Sequence, residues 1–388
     1  MTSAAKRPRA CRSRAVLAGL LLAASGSRGA LPPDDSTLKS LKLPAPSPHW
    51  VWINDFVFPH MADGMAYLVD ADDGHYLGTL STGYSFARLV LPKNGKLIYA
   101  PETYFSRGTR GTRTDVVTIY DATTLAPVGE ITIPPKRSSN MPTMGNSVLT
   151  DDDRFLLIYN FNPAQSVTVV DTSSRTFVGE IETAGCALIF PTGPRTFFMV
   201  CGDGGALTVT LDDHGAAQNK ERSEPLFDFA HDPVSEKPVR QGDRWLFVSF
   251  DGWVHPVRMA AHGPVAEPRW SLATSAERAA GWRPGGLQPF AIHTASGRFY
   301  ALMHRGALAT HKDPGKDIWV YDLATQKRVA HIITHRPSTS IQVSQDAAPL
   351  LYSAFVESNV FDVYDPGTGR LLRSVAELGT SPTLLVTP

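Results

Sequence analysis

The sequence predicts an all-β chain folded as a seven-bladed β-propeller and closed by its C-terminal strand. Three observations lead there. A unit made of a strand ending in Asp, a short turn and a second strand recurs five times, with its Asp at positions 70, 121, 171, 322 and 365. The first two steps are 51 and 50 residues, and the 151-residue gap from Asp171 to Asp322 has room for two weaker copies. A final strand, residues 383–387, has no repeat after it. A repeat of this length built from short strands marks blades stacked about an axis, because one four-stranded blade cannot bury both faces alone.

The chain opens on a targeting segment. Lys6, Arg7, Arg9, Arg12 and Arg14 form a positive region, residues 15–24 an apolar one, and small residues follow to Ala30. This is a secretory pattern, too short to span a bilayer, and residues 1–30 are read as a signal peptide. Lacking an adjacent Arg-Arg pair, it points to the general export route. The mature chain is expected in an oxidising compartment, with no membrane span; the signal alone leaves periplasm and full secretion open, and the family resemblance given below implies the periplasm. Residues 31–48 are rich in Pro and Ser and form an N-terminal arm, either disordered or clasping a partner. The propeller is assigned to residues 49–388.

Strands begin at Trp50–Asp55. The loop 56–61 then carries Phe56, Phe58, His60 and Met61. Two readings stay open for it: aromatic packing beneath a blade, or an apolar lip at one mouth of the ring. The repeats follow, with Gly78, Gly129, Gly179, Ala330 and Arg373 each eight residues after the Asp, inside the second strand. The weaker copies are 207–211, before Asp212, and 253–257, before Arg258. Further strands are read at 96–100, 154–159, 195–200, 244–250, 298–303 and 350–355, mostly behind turn residues. Strand 383–387 is expected to join the first blade and hide two sheet edges.

Of three cysteines, Cys11 lies in the signal, which leaves Cys186 and Cys201 as a pair in an exported chain. A hairpin pivoting at Gly193–Pro194 sets them opposite each other on adjacent strands, so a disulfide is expected. Formal net charge is zero, with 37 basic and 37 acidic residues. A nucleic-acid binder would show a basic face, and none is indicated. The 12 histidines contain no metal-ligand spacing, no Gly-x-Ser-x-Gly elbow occurs, and Cys201-Gly-Asp-Gly-Gly205 reads as a hairpin turn. On residue chemistry alone the chain shows no catalytic constellation and no metal site.

Two stretches are irregular. Residues 105–115 hold Arg107, Arg110 and Arg113, either a solvated loop or a contact surface for an acidic partner. Residues 276–286 begin as a short helix and end in Gly281-Trp282-Arg-Pro-Gly-Gly286. With the Cys186/Cys201 spacing and His311-Lys312, these stretches resemble the heavy subunit of the tryptophan tryptophylquinone (TTQ) amine dehydrogenases. Residues 57–61, 133–137 and 201–205 look closer to the aromatic (aralkyl) amine branch. Residues 105–107 and 282–286 look as much like the methylamine branch. The reading leans to aralkylamines.

The resemblance implies a seven-bladed propeller of the amine dehydrogenase heavy-chain (YVTN-like) type in an α2β2 heterotetramer. The disulfide-dense small subunit would carry the quinone and the catalytic Asp, leaving no cofactor on this chain. Primary amine would be oxidised to aldehyde and ammonia, with electrons passing to a blue-copper protein, azurin or amicyanin. A heavy-chain Phe lines the substrate channel in the family, so Phe56, Phe58 and His60 become channel candidates. Arg107, Arg110, Arg113 and Trp282 become partner-contact candidates. The alternative is a standalone periplasmic propeller that binds a ligand or protein without redox activity; a propeller lactonase is disfavoured by the missing acid/base and metal cluster.

Overall fold

The computed structural model describes residues 42–260 and 263–388; the signal segment 1–30 and arm residues 31–41 lie outside the described residues. Seven antiparallel sheets follow one another along the chain. The seven repeats are the third strands of the seven blades: Gly64–Asp70, Arg113–Asp121, Ser166–Asp171, Ala206–Leu211, Trp253–Ala260, Gly315–Asp322 and Phe361–Tyr364. Both weak copies therefore hold their places. Closure is as expected: Pro382–Val386 pairs with Trp50–Asp55, placing Ile53 opposite Leu385, so the last strand is the innermost strand of blade 1. Blade 2 departs from the rule. Its innermost strand is reduced to one bridge, Val90 to Tyr99, beside three full strands.

The recurring Asp is a turn staple. Oδ1 of Asp121 accepts the N–H groups of Thr123 and Thr124, and Asp171 does the same with Ser173 and Ser174. Asp365 repeats it with Gly367 and Thr368. These bonds favour the charged form, and the backbone N–H of Thr124 and Thr368 hold Asp121 and Asp365 below the ordinary carboxylate range. The residue before position eight bulges out of register in all five clear copies (77, 128, 178, 329 and 372), which adds twist to the outer strand.

Packing explains why the blades need each other. Along Trp50–Asp55, Val51 and Ile53 face blade 7 and meet Tyr352 and Phe361, whereas Trp50 and Trp52 face blade 2 and meet Ile98 and Tyr120. Burying each such side chain stabilises by about 1.5–3 kcal/mol. Outer strands lose this pattern; Ala217–Arg222 is exposed throughout. Connections divide by face. First-to-second and third-to-fourth strand turns lie on one face, including the Asp turns. Second-to-third strand loops and blade-to-blade crossings lie on the other, and every long irregular segment is there.

Candidate functional site

All the sequence-derived candidates fall on the loop-bearing face. Residues 56–63 join the second and third strands of blade 1, and residues 84–89 cross from blade 1 to blade 2. Asp55, fully buried, fixes the start of the first segment: its Oδ1 accepts the N–H of Val57 at 2.8 Å and that of Ser381 at 2.9 Å. The two segments then meet, with the Ser85 N–H donating to the Met61 carbonyl at 3.1 Å.

Both segments are strained. Val57, Met61, Ser85 and Phe86 have φ of 48°, 49°, 47° and 46°, a left-handed region that non-glycine residues avoid and β-branched Val most of all. Each such residue costs about 1–3 kcal/mol and persists only where its surroundings impose it. Here the clamp is Arg137. It is buried, its Nη2 donates to the carbonyls of Tyr84 and Ser85 at 3.0 Å each, and its Nε donates to Thr103. Ser85 Oγ completes the clamp by donating to the Ser139 carbonyl at 2.8 Å.

Three rings converge on this corner. Phe86 lies edge-on to Phe56 (centroids 5.3 Å apart) and to Phe58 (5.7 Å). Phe56 is 1% exposed and forms the floor. Phe58 and Phe86 are half-buried, so they present ring surface to solvent. His60 is exposed and stands 3.2 Å from Asp63. Phe56 thus packs beneath the blade, while Phe58 and Phe86 leave part of their ring surface exposed beside it.

The Arg loop divides. Arg107 and Arg110 are exposed at its tip. Arg113, by contrast, is turned inward, donating from Nε and Nη2 to the fully buried Asp115 at 2.8 and 2.7 Å and from Nη2 to the Arg137 carbonyl. It braces the clamp. Trp282 is half-buried, its ring 5.1 Å from Trp319 and beneath the Arg305 guanidinium at 4.9 Å. The glycines after it are required: a Cβ on Gly285 would lie 2.5 Å from the His304 ring, and Gly286 has φ +132°. The 276–286 helix is Ser275–Ala279, closed by a Thr274/Glu277 capping box. Cys186 and Cys201 pair directly across their hairpin and are bonded, as expected.

Two features escaped the sequence. Glu102, with no exposure, accepts from Thr118 Oγ1, and its Oε1 has no partner. Burial pushes its carboxyl up to about 7. The ring encloses a cavity of about 560 Å³ lined by residues such as Arg88, Ile189, Lys237, Gln288 and Leu384. Lys237 Nζ donates to the Gly286 carbonyl at 3.0 Å, and burial lowers its pKa. Among the described residues, no three His, Cys, Asp or Glu side chains gather to hold a metal, and no helix is long and apolar enough to cross a membrane.

The family model described as methylamine dehydrogenase heavy chain (MADH) matches residues 48–388, the whole propeller. The chain belongs to the methylamine dehydrogenase heavy-chain family. The heavy chain of Paracoccus versutus is 32% identical over 351 residues, covering 89% of this chain and 81% of that one. The heavy chain of Methylorubrum extorquens is 32% identical over 326 residues, covering 83% and 78%. The periplasmic gluconolactonase of Pseudomonas aeruginosa shares the fold alone, at 14% identity and a TM-score of 0.59 over 87% of this chain and 99% of that one. As a heavy-chain family member, the chain is related to a subunit of an amine dehydrogenase.

Proposed function

We propose that this chain is the scaffold subunit of a periplasmic quinoprotein amine dehydrogenase. The observation that carries the reading is the family match across residues 48–388. The partner would be a small subunit bearing tryptophan tryptophylquinone, in an α2β2 heterotetramer. The quinone, when bound by that partner, supplies the two-electron oxidation of primary amine to aldehyde and ammonia, and azurin or amicyanin would take the electrons.

The tasks left to this chain are binding and shielding. Its loop-bearing face gathers the aromatic lip, exposed Arg107 and Arg110, and exposed apolar side chains at Tyr104, Phe161 and Leu308. Apolar groups exposed among charges suit a protein partner. Phe58 and Phe86, with Phe56 beneath, would wall the amine's approach and exclude water. The secretory pattern of residues 1–30 supports a periplasmic location.

Two classes of amine follow from different observations. Residues 57–61, 133–137 and 201–205 favour an aralkylamine. The names of the relatives favour methylamine. The test is the visible absorption spectrum of the protein purified from its native host, before and after methylamine or tyramine. A co-purifying small chain and a quinone band bleached by one amine support the reading and choose the class. A colourless single chain would overturn it and leave a standalone binding propeller.

A further inference from the structure

We propose that the central cavity of the ring is a binding site for a small organic carboxylate. Arg88 and Lys237 hold the carboxylate group, and the apolar waist of the cavity holds the carbon body. The site lies within this chain and does not depend on the scaffold-subunit reading. Three observations carry it.

First, Arg88 is a buried cation without a carboxylate partner among the described residues. It lines the cavity where the crossing from blade 1 enters blade 2, and it is 8% exposed. Its Nε, Nη1 and Nη2 donate to the carbonyls of Met144, Leu89 and Ser147, all neutral acceptors. Each Nη carries a pair of N–H groups, so one on each has no acceptor among the described residues. Two N–H groups on one planar fork suit a carboxylate. Burial lowers its pKa to about 10, so it stays charged at neutral pH. A charge held this far out of water ordinarily has an opposite charge beside it.

Second, the loop-bearing end of the cavity is positive. Lys237 enters it from blade 5 and is nine-tenths buried. Its Nζ donates to the Gly286 carbonyl at 3.0 Å and stands 3.5 Å from Glu236. That leaves one ammonium N–H without an acceptor among the described residues. The acidic lining residues are Asp151, Asp153 and Glu236. Asp151 and Asp153 lie at the opposite end, on a first-to-second strand turn, where Arg240 binds Asp151 at 2.6 and 2.8 Å. Arg88 and Lys237 therefore face Glu236 alone, and one positive charge is unbalanced.

Third, the middle is apolar. Val148, Ile189, Ala291 and Leu384, on the innermost strands of blades 3, 4, 6 and 1, line it between the two ends. The volume of about 560 Å³ lies within the range of about 300–1,000 Å³ that takes small organic molecules. A fork of donors at one end and an apolar wall beyond it fit a carboxylate on a short hydrocarbon. An inorganic anion would leave the waist unfilled, and an ammonium group would meet the like charges of Arg88 and Lys237.

Isothermal titration calorimetry on the protein purified from its native host tests this, with sodium hexanoate, hexylamine and inorganic phosphate as probes. Hexanoate is expected to bind saturably, and the other two at least about tenfold more weakly. Arg88→Gln and Lys237→Met each remove a charge-assisted hydrogen bond and are expected to weaken hexanoate at least about tenfold. Val148→Phe fills the waist and leaves both cations in place. It is expected to weaken hexanoate by a similar factor and to leave phosphate unchanged. Should Arg88→Gln fail to fold, since its guanidinium also ties blade 2 to blade 3, the other two variants decide. The inference is overturned by the absence of saturable hexanoate binding to wild type. It is equally overturned by hexanoate affinity within about twofold of wild type in either Lys237→Met or Val148→Phe. Phosphate or hexylamine binding as tightly as hexanoate overturns the assignment to an organic carboxylate. A missing quinone band in the same preparation overturns the scaffold-subunit reading and leaves this site standing.

Discussion

Arg137 donates from Nη2 to the carbonyl of Ser85 at 3.0 Å, joining segments 52 residues apart in sequence. The same guanidinium reaches Thr103, Tyr84 and Ser138, and its own backbone N–H donates to Asp115. One buried cation therefore ties the lip to blade 2. Burial lowers its pKa to about 10, so it stays charged at neutral pH.

Replacing Arg137 by Ala leaves carbonyls of the strained crossing unpaired and weakens the bracing of Asp115. Breaking a buried, hydrogen-bonded charge network of this kind costs about 3–5 kcal/mol. The expected result is that loss in urea-induced unfolding of Arg137→Ala. Arg137→Lys, with the charge but no planar fork, is expected to fall between. A loss under about 1 kcal/mol for Arg137→Ala would mean that the crossing holds its conformation without the clamp.

Glu102 gives a pH signature. Burial raises its pKa to about 7 against the opposing hydrogen bond from Thr118 and the charge of Arg137. A raised carboxyl binds its proton more tightly folded than unfolded. Its contribution is thus fully present below pH 4.5 and is lost as pH rises through about 7. Glu102→Gln keeps an acceptor for Thr118 and cannot ionise. Its gain over wild type should be near zero at pH 4 and reach about 3 kcal/mol above pH 8, from roughly 2.5 pKa units at 1.36 kcal/mol each. Chemical denaturation at both pH values measures it, and an equal effect at the two would remove Glu102 as the titrating group.

The ring was legible because the same physics repeats. An Asp whose carboxylate accepts turn N–H groups must recur wherever that turn recurs, and five copies carried it openly. The weak copies were faint for local reasons. In blade 4 the bulge falls at residue 218, six after Asp212, and in blade 5 Arg258 stands where the Asp would. The lip was half legible: the aromatics at 56 and 58 stood out, but Phe86 lies in a crossing with no period, and left-handed φ at Val57 or Ser85 leaves no mark in residue type. Arg113 was misassigned to the surface with Arg107 and Arg110. The signal that could have placed it was Asp115, two positions on and so on the same side of the strand. Glu102 was hidden because its burial depends on blade 1 folding over it.

The Cys186–Cys201 bond closes the hairpin between the two innermost strands of blade 4. Their separation of 15 residues corresponds, in the loop-entropy model, to about 3 kcal/mol. The double variant Cys186→Ser/Cys201→Ser is expected to unfold at lower urea by that amount, and wild type in dithiothreitol to approach it. Full stability in the double variant would show that blade 4 is held by packing around Phe190 and Phe198 alone.

His49 sits at the seam where the ring closes. Its Nδ1 shares a proton with Asp72 of blade 1 at 2.6 Å, and its Nε2 stands 3.2 Å from Asp346 and from the Ala348 carbonyl on blade 7. Burial works against the charged imidazole, but Asp72 and Asp346 outweigh it and hold the pKa above the ordinary value. For a raised His, the stabilisation is complete below pH 6.5 and is lost as pH rises through the folded value. Asp72 is exposed, so solvent screening keeps the effect to about 1 kcal/mol or less. Relative to wild type, His49→Gln should therefore lose stability at pH 5.5 and very little at pH 8.5. Because both proteins keep Glu102, its own titration, which runs in the same direction, cancels in the difference. Urea midpoints at the two pH values measure the effect. A loss that does not depend on pH would show that His49 closes the seam by packing and hydrogen bonding to Ala348, without its charge.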